Sequence, residues 1–371
     1  MTDPAVTPLA FSIPQLYCPF PTAIHPEVDT LTRAGMDFMT HHGFCNTEAD
    51  RLVVANIDAG AIVARWYPNP DFPVDRLQMV TDFLYLYFLI DDLRFEVINS
   101  DTGLAGPIAL FAQHLDLWEY PQAHRREELD LFHQAIHDLA SRMAELTTPT
   151  KAARMRRSIN GWFLALLREI ALFNDDHAVM AEEYLPIRVV TVASRLMIDV
   201  NGFICPAEVP GDEWYSLKVQ AAAEAAMSVC LYDNELYSAG KEQWLKSRAT
   251  AHDRRPRNLV ALIQAQTGGS TEHALQEVAE YRNRTVCLYL NLRSQLEKTA
   301  SPALLAYLSV LDGVISGNLD AHATSSRYHN PDGHHPHAIA FTPLRTTDEC
   351  SARAHTPIAP PIAWWWEQLD Q

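Results

Sequence analysis

The chain has 371 residues, 48% hydrophobic and 20% charged, enough for one large domain or two ordinary ones around a substantial core. Its 46 acidic against 29 basic residues give a net charge of -17, which argues against a nucleic-acid partner, because such partners are met by basic patches. Most of that acidity serves solubility, and it also suits a site that collects divalent cations.

Residues 1–26, with "FSIPQLYCPFPTAIHP", are rich in proline and aromatics and read as an extended arm lying on the body. The opening "MTDPAVTPLA" has no basic region followed by an apolar stretch, so no secretion signal is expected. No apolar run approaches the ~18 residues of a membrane span. The six cysteines, Cys18, Cys45, Cys205, Cys230, Cys287 and Cys350, form no CxxC pair, and are expected as reduced thiols in a cytoplasmic protein. From residue 27 apolar residues recur at intervals of three and four, as in "LDLFHQAIHDLASRMAEL", which predicts helices. "YPNPDFP" (Tyr67 to Pro73) reads as a loop. Pro149, Pro186, Pro206, Pro210 and Pro256 mark helix starts or boundaries, and "TGGST" (Thr267 to Thr271) marks a turn and a cap. Residues 27–328 are expected to form one all-α domain of ten or more helices. After Tyr328 the helical period disappears, and 329–371 are expected to be a mobile C-terminal tail. Its Trp364-Trp365-Trp366 cluster should dock on something, and "HHPH" (His334 to His337) reads as solvated.

The first chemical signal is "FLYLYFLIDDLRFE", Phe83 to Glu96. An apolar run that ends in carboxylates is costly unless cations meet them. Asp92 and Glu96 lie four apart on one helical face, with Asp91 on the flank. Hard oxygen ligands of this kind suit Mg2+ and its phosphate partners. "NDDH" (Asn174 to His177) holds a second Asp pair but has no such run before it and reads as an exposed loop.

The second signal is "DNELYSAGKE", Asp233 to Glu242. Asn234, Ser238 and Glu242 fall at i, i+4 and i+8, so an amide oxygen, a hydroxyl and a carboxylate share one stripe. Lys241 beside them can neutralise an anion. Arg327-Tyr328 offers a guanidinium fork and a hydroxyl for phosphate. Arg188, in an apolar helical context, needs an anionic partner, and an ion pair to Glu182 or Glu183 is the plainer alternative.

In this order and spacing the pieces resemble the bacterial class I terpene synthases, over nearly the whole chain up to Tyr328. The resemblance implies an all-α, single-domain bundle around a central apolar cavity. It implies that Asp91, Asp92 and Glu96, together with the Asn234/Ser238/Glu242 triad, hold Mg2+, three ions in such proteins, with Asp91 the main ligand of the first motif. Arg188, Lys241, Arg327 and Tyr328 would grip the diphosphate of a linear isoprenoid, whose ionisation releases an allyl cation into a dry pocket. Tyr85, Phe88 and Trp66 are candidates to stabilise that cation, or are ordinary core. A homodimer would be ordinary for the family.

Two positions depart from the family pattern. A Trp is usual six residues before the final Arg, and here stands Ala321, which widens the pocket and tilts the expected substrate toward the twenty-carbon geranylgeranyl diphosphate over the fifteen-carbon farnesyl diphosphate. A helix-breaking Gly is usual after the Arg188 position, and here Thr191, Val192 and Ala193 occupy the region. The rivals are a chain-elongating prenyl diphosphate synthase, which would carry two aspartate-rich motifs, and a non-catalytic helical binding protein.

Overall fold

A computed structural model describes residues 8–92, 104–174, 177–248 and 257–369. They form helices α1 (Val28–His41), α2 (Glu48–Ile57), α3 (Ala59–Trp66), α4 (Val74–Ile90), α5 (Ala105–Glu119), α6 (Leu131–Leu146), α7 (Pro149–Asn174), α8 (Ala181–Thr191), α9 (Ser194–Ile204), α10 (Gly211–Trp214), α11 (Leu217–Arg248), α12 (Leu259–Thr267), α13 (Thr271–Leu296), α14 (Pro302–Thr324) and α15 (Ser326–His329). The expected all-α architecture is present. Local chemistry sets the boundaries. Thr47 and Asp50 make a reciprocal capping box at α2, and Ser270 and Ser301 cap α13 and α14 through backbone N–H groups. The "TGGST" turn ends α12 and starts α13 as its residues require, and "YPNPDFP" fills the gap between α3 and α4.

Helix α4 is buried on every side. From Leu77 to Ile90 only Gln78 and Phe88 are not buried, which makes α4 a central rather than a surface helix. Helix α11 packs against α13, α14 and α9. Helix α14 crosses α3 so tightly that a Cβ on Gly317 would sit 2.0 Å from the carbonyl oxygen of Arg65; only glycine fits there.

Several expectations are corrected. By length and composition α14 could cross a membrane, although no such run was expected; it is mostly buried between α3 and α11 and carries the buried polar residues Asn318 and His322. Pro186 lies inside α8 rather than at a boundary. Its missing N–H leaves only the carbonyl of Glu182, at the exposed start of the helix, without its intrahelical donor. Cys287 and Cys350 are joined in a disulfide, not reduced, while Cys18, Cys45, Cys205 and Cys230 are free. Asp175 and Asp176 of "NDDH" lie outside the described residues.

The segment after Tyr328 is packed rather than a mobile tail. Strand β3 (Ile339–Phe341) pairs in parallel with β1 (Leu9–Phe11), and β4 (Thr346–Thr347) with β2 (Leu16–Tyr17). The arm and the C-terminal segment therefore run side by side. The last turn, Pro360–Gln368, docks its tryptophans. Trp365 is fully buried and donates its indole N–H to Glu224 on α11 at 3.0 Å, and Trp366 donates to the Ala354 carbonyl at 2.8 Å. His335, from "HHPH", pairs with Asp332 at 2.9 Å.

Candidate active site

Asp91 is the C-cap of α4, so the buried apolar helix delivers its carboxylates where its backbone ladder ends. Asp92 is clamped by two cations. Arg327 forks onto it at 2.7 and 3.0 Å, and Lys241 donates to Oδ1 at 2.7 Å. Burial opposes the charge on Asp92, but Arg327 and Lys241 outweigh it and hold the carboxyl below its ordinary range. The guanidinium of Arg327 also lies 4.5 Å from the centre of the Phe88 ring. Glu96 lies outside the described residues.

The triad lies on α11 as its spacing demands. Asn234 Oδ1 accepts from Arg188 at 2.7 Å, and Ser238 Oγ donates to Glu242 Oε1 at 3.1 Å. Arg188 therefore meets α11 rather than Glu182 or Glu183. Its Nε donates to Glu235 at 2.6 Å, and that carboxylate is fully buried and also accepts from Leu259 N–H at 2.5 Å. Glu235 and Asp233 flank Asn234, and their sequence positions alone assign them no role. Asp233 is buried between Arg282, at 2.5 Å, and Asn318, at 3.0 Å, and so ties α11 to α13 and α14. The acids in "DNE" are the sequence signal for these contacts: a carboxylate on each side of Asn234 needs a cation or a donor on each side of the helix.

Tyr328 points its hydroxyl into a relay. The Nδ1 of His322 faces the Asn318 carbonyl at 2.8 Å, and a carbonyl can only accept, so the proton sits on Nδ1. Burial lowers the pKa of His322 and keeps the ring neutral. Its Nε2 then accepts the phenol proton of Tyr328 at 2.7 Å, and the Tyr328 oxygen accepts from Asn234 Nδ2 at 3.3 Å. The result fixes the amide of Asn234 with its oxygen on the Arg188 side. Sequence gave no sign of His322.

The helix break after Arg188 exists without glycine. Between α8 and α9, Ala193 adopts φ 67°, ψ 21°, a left-handed conformation costing a non-glycine residue roughly 1–2 kcal/mol. The Thr191 carbonyl accepts from Trp162 at 2.9 Å and that of Ala193 from Met197 N–H at 2.8 Å. Of the three aromatic candidates only Phe88 touches the ion cluster. The ring of Tyr85 packs against α1 at Gly35, and buried Trp66 lies where α3 meets α14 at Gly313. Ala321 is buried on α14, next to His322.

The donor set fits a hard divalent cation. Amide, hydroxyl and carboxylate oxygens lie in register, and Glu242 Oε2 is buried with no hydrogen-bond partner, its nearest cation being Lys246 at 3.8 Å. Among the described residues no three His, Cys, Asp or Glu side chains converge as a metal cluster, so the set depends on Asn234 and Ser238.

A helical bundle with an oxygen-donor triad on one helix, a carboxylate-tipped helix clamped to it by Lys241 and Arg327, and Arg188 on the triad's Asn234 defines a class I terpene cyclase. The family described as terpene synthase family 2, C-terminal metal binding, matches residues 82–287, and the chain belongs to it. Phomopsene synthase of Allokutzneria albata is 28% identical over 99% of this chain and 100% of its own length. The 4-epi-cubebol synthase of Streptosporangium roseum, described as cyclizing (2E,6E)-farnesyl diphosphate, is 26% identical over 85% of this chain and 92% of its own. The crystal structure of a mutant of SVS_A2, a protein from ancestral sequence reconstruction, superposes with a TM-score of 0.81 at 25% identity, covering 96% of this chain and 98% of that one. The protein is thus a terpene synthase, a lyase acting on prenyl diphosphates.

Proposed function

We propose that this enzyme uses Mg2+, three ions by resemblance to its family, to ionise and cyclise geranylgeranyl diphosphate, with farnesyl diphosphate the alternative. The observation that carries the reading is the convergence of Arg188, Lys241 and Arg327 on the two carboxylate-bearing motifs. Asp91 and the triad Asn234, Ser238 and Glu242 would hold the metal, which when bound draws charge off the leaving diphosphate. The three cations meet two carboxylates, Asp92 and Glu235, and the uncharged amide oxygen of Asn234. An arriving diphosphate competes for them, and Arg327 and Lys241 exchange one carboxylate for phosphate oxygens. Tyr328, its proton committed to His322, orients Asn234 rather than donating to phosphate. With the carbonyls of Thr191 and Ala193 engaged, the Val192 carbonyl is the one in the helix break suited to face the developing allyl cation. The small Ala321 supports the longer substrate, while the farnesyl-cyclizing relative keeps the shorter one in play.

The test is incubation with Mg2+ and, separately, geranyl, farnesyl and geranylgeranyl diphosphates, followed by GC–MS of hexane extracts. A cyclic hydrocarbon or alcohol from geranylgeranyl diphosphate, lost with EDTA, is expected. Product from farnesyl diphosphate alone would reverse the chain length. Longer diphosphates on addition of isopentenyl diphosphate would favour the elongating chemistry.

A further inference from the structure

One buried side chain touches two members of the triad and belongs to no motif. Asn258 is the N-cap of α12, and its Oδ1 accepts from Val260 N–H at 2.8 Å. Capping uses only that oxygen, and Ser, Thr or Asp would serve as well. The amide nitrogen is turned the other way, onto α11. Nδ2 lies 3.0 Å from Ser238 Oγ, 3.3 Å from Glu242 Oε1 and 3.1 Å from the Glu235 carbonyl oxygen. Two hydrogens serve three acceptors, so one is shared. The side chain is 1% exposed.

These contacts set the direction of each ligand oxygen. A serine hydroxyl has one proton and two lone pairs. The proton of Ser238 goes to Glu242 and one lone pair accepts from Asn258, which leaves one lone pair. Glu242 Oε1 takes donors from both Ser238 and Asn258, while Oε2 receives none. Without Asn258 the Ser238 hydroxyl is held only by its bond to Glu242, and Glu242 loses a donor. The same helix start fixes the anion side, because Leu259 N–H holds the Glu235 carboxylate that pairs with Arg188.

Resting on the metal-site reading above, we propose that Asn258 is a positioning residue for the triad, holding Ser238 and Glu242 so that their remaining lone pairs meet a divalent cation together. Second contacts of this kind are commonly worth about 10- to 100-fold in metal affinity.

The test separates capping from positioning. Mn2+ alone is titrated into the wild type and Asn258→Ser, and free Mn2+ is read by EPR, with the thermal midpoint measured in parallel. Serine keeps the capping oxygen and loses the amide nitrogen. The expected result is a Kd for Mn2+ raised about 10- to 100-fold at an unchanged midpoint. Equal Kd values overturn the proposal. Should Asn258→Ser not fold, Asn258→Thr, a second capping residue without the nitrogen, is read against the same two outcomes. A wild type that takes up no Mn2+ removes the metal-site reading itself and this inference with it.

Discussion

Replacing Asp92 by Asn removes the carboxylate that Lys241 and Arg327 share. The side chains of both cations are 8% exposed and that of Asp92 is 23% exposed. Breaking such a pair costs about 3–5 kcal/mol, because charge is left buried without its partner. Asparagine keeps an acceptor oxygen, so the lower end, about 3 kcal/mol, applies. Unfolding entropy of roughly 2.1 cal/mol/K per residue, over the whole chain, gives about 0.8 kcal/mol per degree and a Tm lower by about 4 °C. Inorganic pyrophosphate supplies the second measurement. In the wild type the cations must leave Asp92 before they meet the anion, whereas in Asp92→Asn they do not. The rise in Tm caused by a fixed pyrophosphate concentration should therefore be larger in the variant. Because the native carboxyl titrates below its ordinary range, the gap between the two proteins is present at neutral pH and closes as pH falls through the native value. Scanning calorimetry with and without pyrophosphate reads both quantities. An unchanged Tm together with an equal pyrophosphate shift would refute the clamp.

Trp365→Ala should cost about 3–5 kcal/mol and several degrees of Tm; no shift would mean that the C-terminal turn does not dock on α11. Cys350→Ser should lower Tm in oxidising buffer, since the disulfide closes a loop of 63 residues worth about 4 kcal/mol; with dithiothreitol the two proteins should melt together, and a difference persisting in reductant would speak against the pairing. Burial raises Asp199 to about 6 despite its bond from Ser158. Its proton therefore favours the folded state, an advantage full below the unfolded value and lost as pH rises through about 6. Asp199→Asn should abolish that slope in a urea-melt series from pH 4 to 8, and an unaltered slope would count against the burial argument. Ala321→Trp should shift turnover from geranylgeranyl toward farnesyl diphosphate, and a constant ratio would free Ala321 of any part in chain length.

Much of the candidate site is legible because its oxygen donors are periodic. Asn234, Ser238 and Glu242 keep helical spacing, and Asp91 and Asp92 end an apolar run. What escaped was everything set by partners distant in sequence. Arg188 reads as needing an acid, and the nearest in sequence are Glu182 and Glu183; the acid it finds, Glu235, is chosen by the packing of α8 on α11. His322 and Asn258 look like an ordinary core histidine and an ordinary cap until their second polar atoms are followed. No glycine marks the helix break, yet Ala193 takes the left-handed conformation between α8 and α9. The C-terminal segment lacked helical period and so read as mobile, although strand pairing with the arm needs only a few residues and leaves almost no periodic trace.

The terminal strands close over Gly240, where an added Cβ would lie 2.8 Å from Ile339 and 3.0 Å from Phe11. Gly240 sits two residues from both Ser238 and Glu242, on the opposite side of α11. Helix α11 is thus braced from behind by strands β1 and β3, joined in register as Leu9↔Ile339 and Phe11↔Phe341. Ribosomes add roughly 5–20 residues per second, and a domain generally folds as a unit once its chain is out. Helix α11 leaves the ribosome well before Ile339 is made. A product stalled in that interval can carry every residue of the triad and still lack the wall behind it. The brace gives the chain a built-in order of events: the packing behind Ser238 and Glu242 is completed only after Ile339 has emerged.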